Sequence, residues 1–203
     1  MTLLRKEYHD VKGTELRFSN ALELLVATIL AAQCTDRKVN EVTEALFKRY
    51  KTAEDYAKAD LEELQEFVKP TGFYRNKARF IKAATEKLVK EFNSEMPRSI
   101  DEMTKLPGVA RKTANIVLSN AFGINEGVAV DTHVMRLSGR LGLTKEKDRE
   151  KIEGDLMRLI PKRQWFEVSN LLIAHGRRIC EARHPKCGAC VLNKLCPSAF
   201  TFD

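Results

Sequence analysis

Four of the five cysteines, Cys180, Cys187, Cys190 and Cys196, fall within seventeen residues with the spacing C-x6-C-x2-C-x5-C. A chain of 203 residues can bury enough apolar surface to be compact without staples, so this group of thiols needs its own explanation. The N-terminal stretch "MTLLRKEYHDVKG" has charges beside a short apolar pair and no cleavage pattern. No apolar run approaches the roughly 20 residues of a membrane span. The expectation is a cytoplasmic protein without a membrane partner, nucleoid-associated if the source is bacterial or archaeal. In that compartment clustered cysteines are more often metal ligands or redox groups than disulfides. Four thiolates suit either tetrahedral zinc or a cubane iron-sulfur cluster, and spacing alone does not choose between them. Cys34 sits apart, in an apolar stretch, and reads as a small buried hydrophobe.

Two other stretches carry reactive groups. In "LPGVARKTAN", Leu106 to Asn115, Pro107 and Gly108 form a turn between two helical patterns, and Lys112 falls in the first turn of the second helix. A glycine turn running into a helix start aims backbone N–H groups outward, and with the positive helix end these make a phosphate site. In "VAVDTHVMR", Val128 to Arg136, Asp131 directly precedes a helical stretch after a short apolar triplet. Its ordinary role there is to cap the helix, a role compatible with chemistry because it fixes the carboxylate in place. His133 reads as facing a neighbour or solvent. The net charge of +7 accompanies many acids, which suggests a basic face for nucleic acid on an otherwise mixed surface.

The elements that must position these groups are helices almost throughout. "SNALELLVATILAAQ" is apolar nearly all round, which suits a central buried helix capped by Ser19 or Asn20. Val39, Val42, Leu46 and Tyr50 recur at helical spacing, as do Ile81, Ala84, Leu88 and Phe92. A further helix over "DLEELQEFV" stops at Pro70, and Ser99 with Glu102 forms a capping box. Helical patterns also cover "RKTANIVLSNAF" before Gly123, "THVMRLSGRL", "DREKIEGDLMRLI" and "QWFEVSNLLIAHGRRI". The fold class is therefore all-α, with no repeat and no long linker.

The hairpin "LPGVARKTAN", the downstream "VDTH", the cysteine spacing and the early "LLVATILAAQCTD" together closely resemble the endonuclease III family. These are helix-hairpin-helix DNA glycosylases and abasic-site lyases of base excision repair. The resemblance covers nearly the full chain. It implies a two-lobed fold: one helical domain over residues 15–125, and a second lobe of 1–14 with 126–203 carrying a [4Fe-4S] cluster on Cys180, Cys187, Cys190 and Cys196. With the hairpin upstream, iron-sulfur is favoured over zinc. The implied partner is duplex DNA holding damaged pyrimidines or abasic sites, bound by a monomer.

The resemblance also implies roles. Lys112 is the nucleophile and Asp131 the carboxylate that stabilises the developing sugar cation and accepts the lysine proton. A target base must leave the stack, and Gln33 and Phe73 are the residues implied to fill the gap, although Phe73 is equally plausible in the core. Gly108, Ala110 and Arg111 hold phosphate. Ala110 replaces a more usual glycine, which is harmless at negative φ and harmful otherwise. Arg183 and Lys186 lie in a loop tied at both ends by cysteines and would meet phosphates as a pre-ordered basic group.

The alternative inside the superfamily is a monofunctional glycosylase for adenine or thymine mismatches, which generally lacks lysine at position 112. A non-enzymatic DNA-binding module leaves Lys112 and Asp131 unexplained. An electron carrier accounts only for the cysteines.

Overall fold

The computed structural model describes residues 1–202. Among them are eleven α-helices, short 3-10 turns and no strand. In chain order the helices are α1 (Thr2–Glu7), α2 (Ala21–Leu30), α3 (Asp36–Arg49), α4 (Ala53–Lys58), α5 (Leu61–Val68) and α6 (Tyr74–Glu91), followed by α7 (Ile100–Met103), α8 (Arg111–Phe122), α9 (Thr132–Arg140), α10 (Arg149–Leu159) and α11 (Trp165–Arg178). Residues Glu15–Ile124 form one compact unit, and Met1–Thr14 with the chain from Asn125 onward form another.

The first unit is built around α2. Leu24, Leu25, Val26, Ala27 and Leu30 are each at most 1% exposed, as expected for a helix apolar on nearly every side. Asn20 caps it by accepting from the Glu23 N–H at 2.9 Å, and Glu23 accepts in return from the Ser19 N–H. Helices α3, α6 and α8 pack on α2, through Val39, Val42 and Leu46, through Ile81, Ala84 and Leu88, and through Ala114, Val117 and Leu118. Tyr50, just past α3, stacks on Tyr56 of α4 with ring centroids 5.0 Å apart. Phe92 ends its stripe half-buried, and Cys34 is likewise half-buried at the edge of this core.

The second unit gathers Leu4 and Tyr8 with Val134, Leu137, Ile152, Leu156, Leu171 and Leu172, from α9, α10 and α11. The triplet before Asp131 lies outside any helix or strand, and its Val128 and Val130 are buried in this core.

Helical periodicity passes over α1 and α4. Each has six residues, less than two turns, too short for a repeat to register. What α4 does carry is a capping box: Thr52 Oγ1 accepts from the Asp55 N–H at 3.1 Å, while Asp55 Oδ2 accepts from the Thr52 N–H at 2.9 Å. No helix is long and apolar enough to cross a membrane, among the described residues.

Candidate functional site

In the first unit, α7 and α8 form a helical hairpin whose turn is anchored by buried Leu106 and Val109. Gly108 has φ 77, in the left-handed region, and a Cβ there would lie 2.7 Å from Cβ and Cγ of Phe80. Glycine is thus required twice over, by conformation and by space. Ala110 has φ −87 and ψ 166, ordinary extended backbone, so alanine in place of the more usual glycine leaves the turn unstrained. Ala110 offers no side chain to cap α8, and the positive end of the helix is left open to an anion. Lys112 is exposed on the first turn of α8, while Ala114, Asn115, Val117 and Leu118 face inward. Gly108→Ala is expected to cost about 1–3 kcal/mol of stability, read by chemical denaturation, and to weaken duplex binding in fluorescence anisotropy.

Gln33 follows α2 and Phe73 precedes α6, both outside regular helix. Each is a non-glycine residue in the left-handed region, with φ 53 and φ 48 respectively. Gln33 is exposed and Phe73 is 64% exposed. The core alternative for Phe73 therefore fails: the turn aims the ring into solvent while Tyr74 packs against the core.

In the second unit Asp131 caps α9. Its Oδ1 accepts from both the His133 and Val134 N–H groups at 2.8 Å. Buried Val128 and Val130 hold the approach to it, and the cap uses a single oxygen, Oδ1. His133 faces inward to its neighbours, with Nδ1 3.2 Å from Arg136 Nη2, and burial pulls its pKa below the ordinary histidine value.

None of the five cysteines is in a disulfide. Cys180, Cys187, Cys190 and Cys196 line one pocket, together with Leu137, Leu141 and Ile179. No three His, Cys, Asp or Glu side chains converge on a point that would hold a single metal ion, among the described residues. Donors are aimed at the sulfurs instead. Arg140 Nη1 lies 3.3 Å from Cys180 Sγ, and the Leu192 N–H lies 3.4 Å from Cys190 Sγ. His175, 2% exposed, bridges Tyr8 and Cys190: its Nδ1 is 2.7 Å from the Tyr8 hydroxyl and its Nε2 is 3.4 Å from Cys190 Sγ. Burial pushes the Tyr8 phenol up to about 12, so Tyr8 keeps its hydroxyl proton beside the His175 ring. Burial pushes the Cys190 thiol up, against the pull of the Leu192 N–H.

The loop between the first two cysteines is held from α9. Arg136 Nη2 donates to the carbonyls of Gly176 and Cys180 at 3.0 and 2.9 Å. Arg140 donates to those of Glu181 and Ala182 at 2.7 and 3.0 Å. Sequence reasoning missed Arg136, Arg140 and His175; the readable signal was a pair of arginines one helical turn apart on α9. Arg183 is exposed on this loop. Lys186 is exposed too, yet its ammonium pairs with Glu181 at 2.8 Å and reaches the Arg178 carbonyl at 3.3 Å, so the loop is less basic than its lysine suggests.

Residues 26–162, which contain the hairpin, Gln33, Phe73, Lys112 and Asp131, match the HhH-GPD superfamily of base excision DNA repair proteins. The chain is 53% identical to endonuclease III of a Synechocystis strain, over 97% of this chain and 90% of that protein. It is 49% identical to endonuclease III of Bacillus subtilis, over 90% and 83% of the two chains. The chain belongs to the endonuclease III family. A solved endonuclease III trapped as a covalent intermediate with DNA matches it with a TM-score of 0.93 and 44% identity, covering 98% of this chain and 92% of that one. The likeness to endonuclease III thus extends past residues 26–162, over a span in which the family's helical fold accounts for the all-α architecture seen here.

Proposed function

We propose that this chain excises oxidised pyrimidines from duplex DNA and cleaves the resulting abasic site. The observation that carries the reading is an exposed lysine, Lys112, at the uncapped start of α8, beside a turn that only glycine can make, in an endonuclease III family member. The open helix start and the Gly108 turn hold a phosphate, with Ala110 and Arg111 flanking it. With the phosphate held there, the neighbouring amine would reach the sugar of an extruded nucleotide.

Lys112 Nζ attacks C1′ and the bond from C1′ to the base breaks, the base leaving with the electron pair and gaining a proton. The amine gives up its proton, in part to Asp131, and the sugar opens to an iminium. Loss of a proton from C2′ then expels the 3′ phosphate, and water releases the lysine. The Asp131 carboxylate acts on the positive charge that grows at the sugar as the base departs, a charge absent from the ground state. Gln33 and Phe73, exposed on their turns, fill the space the nucleotide vacates. Arg183 meets a phosphate from the cysteine loop, with Lys186 contributing a partly neutralised charge. Duplexes carrying thymine glycol, dihydrouracil, an adenine mismatch or an abasic site, each treated with borohydride, test the reading. Covalent trapping with the oxidised pyrimidines and the abasic site, but not the mismatch, is the expected result.

Cys180, Cys187, Cys190 and Cys196 would hold a [4Fe-4S] cluster. Their side chains line one pocket, and N–H donors face two of the sulfurs, the kind of hydrogen bonding that suits cluster-bound thiolates. When bound, the cluster supplies cross-links that hold the loop of Arg183; no step of the reaction passes through it. Anaerobically purified protein is expected to be yellow-brown with about four irons per chain. Cys187→Ser is expected to lower iron content and folding yield together, and stoichiometric zinc without visible absorbance would count against the cluster.

A further inference from the structure

We propose that Lys77 is a positioning residue for both gap-filling turns: its buried ammonium clips the end of α2, which leads into Gln33, to the turn that leads into Phe73. The inference rests on the reading of Gln33 and Phe73 given above.

Lys77 lies on α6 and is 3% exposed. Its Nζ donates to the Leu30 carbonyl at 2.8 Å and to the Thr71 carbonyl at 2.7 Å. No carboxylate pairs with it among the described residues, and burial pulls its pKa below the ordinary lysine value. A lysine buried without an acid is rare and disfavoured by desolvation, so packing alone would favour an apolar side chain here. The two acceptors explain what the ammonium does. Leu30 is the last residue of α2, where carbonyls lack helical partners and a cation suits the helix dipole. Thr71 is 2% exposed and ends the 3-10 turn Lys69–Thr71.

Three residues beyond Leu30 stands Gln33, and two beyond Thr71 stands Phe73. These are the left-handed, solvent-facing residues with φ 53 and φ 48. Such conformations are disfavoured for residues with a Cβ and persist where the surroundings over-determine them. Both turns are over-determined by the same buried group. One ammonium thus sets the two turns against each other, and the exposed side chains meet DNA in a fixed spacing without ordering on each encounter.

The test is a double-mutant cycle read by binding and by base extrusion. Lys77→Met, nearly isosteric but without donors, is expected to lower affinity for a duplex with a tetrahydrofuran abasic analogue by about ten- to a hundredfold. Affinity for undamaged duplex is expected to stay within about twofold, because it rests on backbone phosphates. A 2-aminopurine opposite the analogue should show a matching loss of unstacking. In a Gln33→Ala, Phe73→Ala background the same change is expected to add little, since its effect runs through those side chains. Additive losses, or equal losses on damaged and undamaged duplex, would overturn the proposal in favour of a merely structural lysine. If the Gln33→Ala, Phe73→Ala protein binds the analogue normally, the gap-filling reading itself falls and the proposal with it. If that protein loses affinity while Lys77→Met does not, only the Lys77 proposal falls. Should Lys77→Met fail to fold, the cycle is read with Lys77→Gln, whose amide keeps a donor for one carbonyl and is expected to give a partial, still non-additive loss.

Discussion

Lys112→Gln is expected to abolish borohydride trapping and to lower both base release and strand cleavage by roughly four orders of magnitude or more. The residue is exposed on the first turn of α8, and the helix buries its opposite face through Ala114, Val117 and Leu118, so the substitution removes an amine and no packing. Stability should stay within about 0.5 kcal/mol of the native protein, the usual range for a surface change. Binding to a duplex with an abasic analogue should persist, because on the proposed reading the phosphate rests on the backbone of the Gly108 turn and the uncapped start of α8. A normal covalent adduct in the variant would mean that another amine is the nucleophile.

Asp131→Asn is expected to separate base release from trapping. Asparagine retains the carbonyl oxygen that accepts from the His133 and Val134 N–H groups, and it is as good a helix cap as aspartate, so α9 should keep its start. What disappears is the negative charge that, on the proposed reading, faces the sugar. Base release from thymine glycol is expected to fall by about a hundred- to a thousandfold, the usual scale for losing one preorganised electrostatic group. Trapping on a preformed abasic site should survive in part, since the aldehyde there has no base to expel. Equal losses on both substrates would move Asp131 from charge stabilisation to proton transfer from the amine.

Much of this arrangement is legible along the chain because it is decided within a few residues. Asp131 as a cap, Gly123 as the end of α8 and the buried stripe of α2 all follow from hydrogen bonds and side-chain spacing inside one or two helical turns. The four thiols announce a shared site by spacing alone. The rest was decided by residues far apart in sequence. Gly108 is required for space as well as for φ because Phe80 lies against it. The sequence allowed Phe73 either role, and only packing sent its ring outward and Tyr74 inward. Lys186 reads as a free cation until Glu181 is found beside it. His175 reaches Cys190 on one side and Tyr8, 167 residues earlier, on the other, while Lys77 reaches a carbonyl 47 residues away. No local pattern marks such partners, because a buried donor is stable wherever an acceptor meets it, and which acceptor that is depends on how the helices pack.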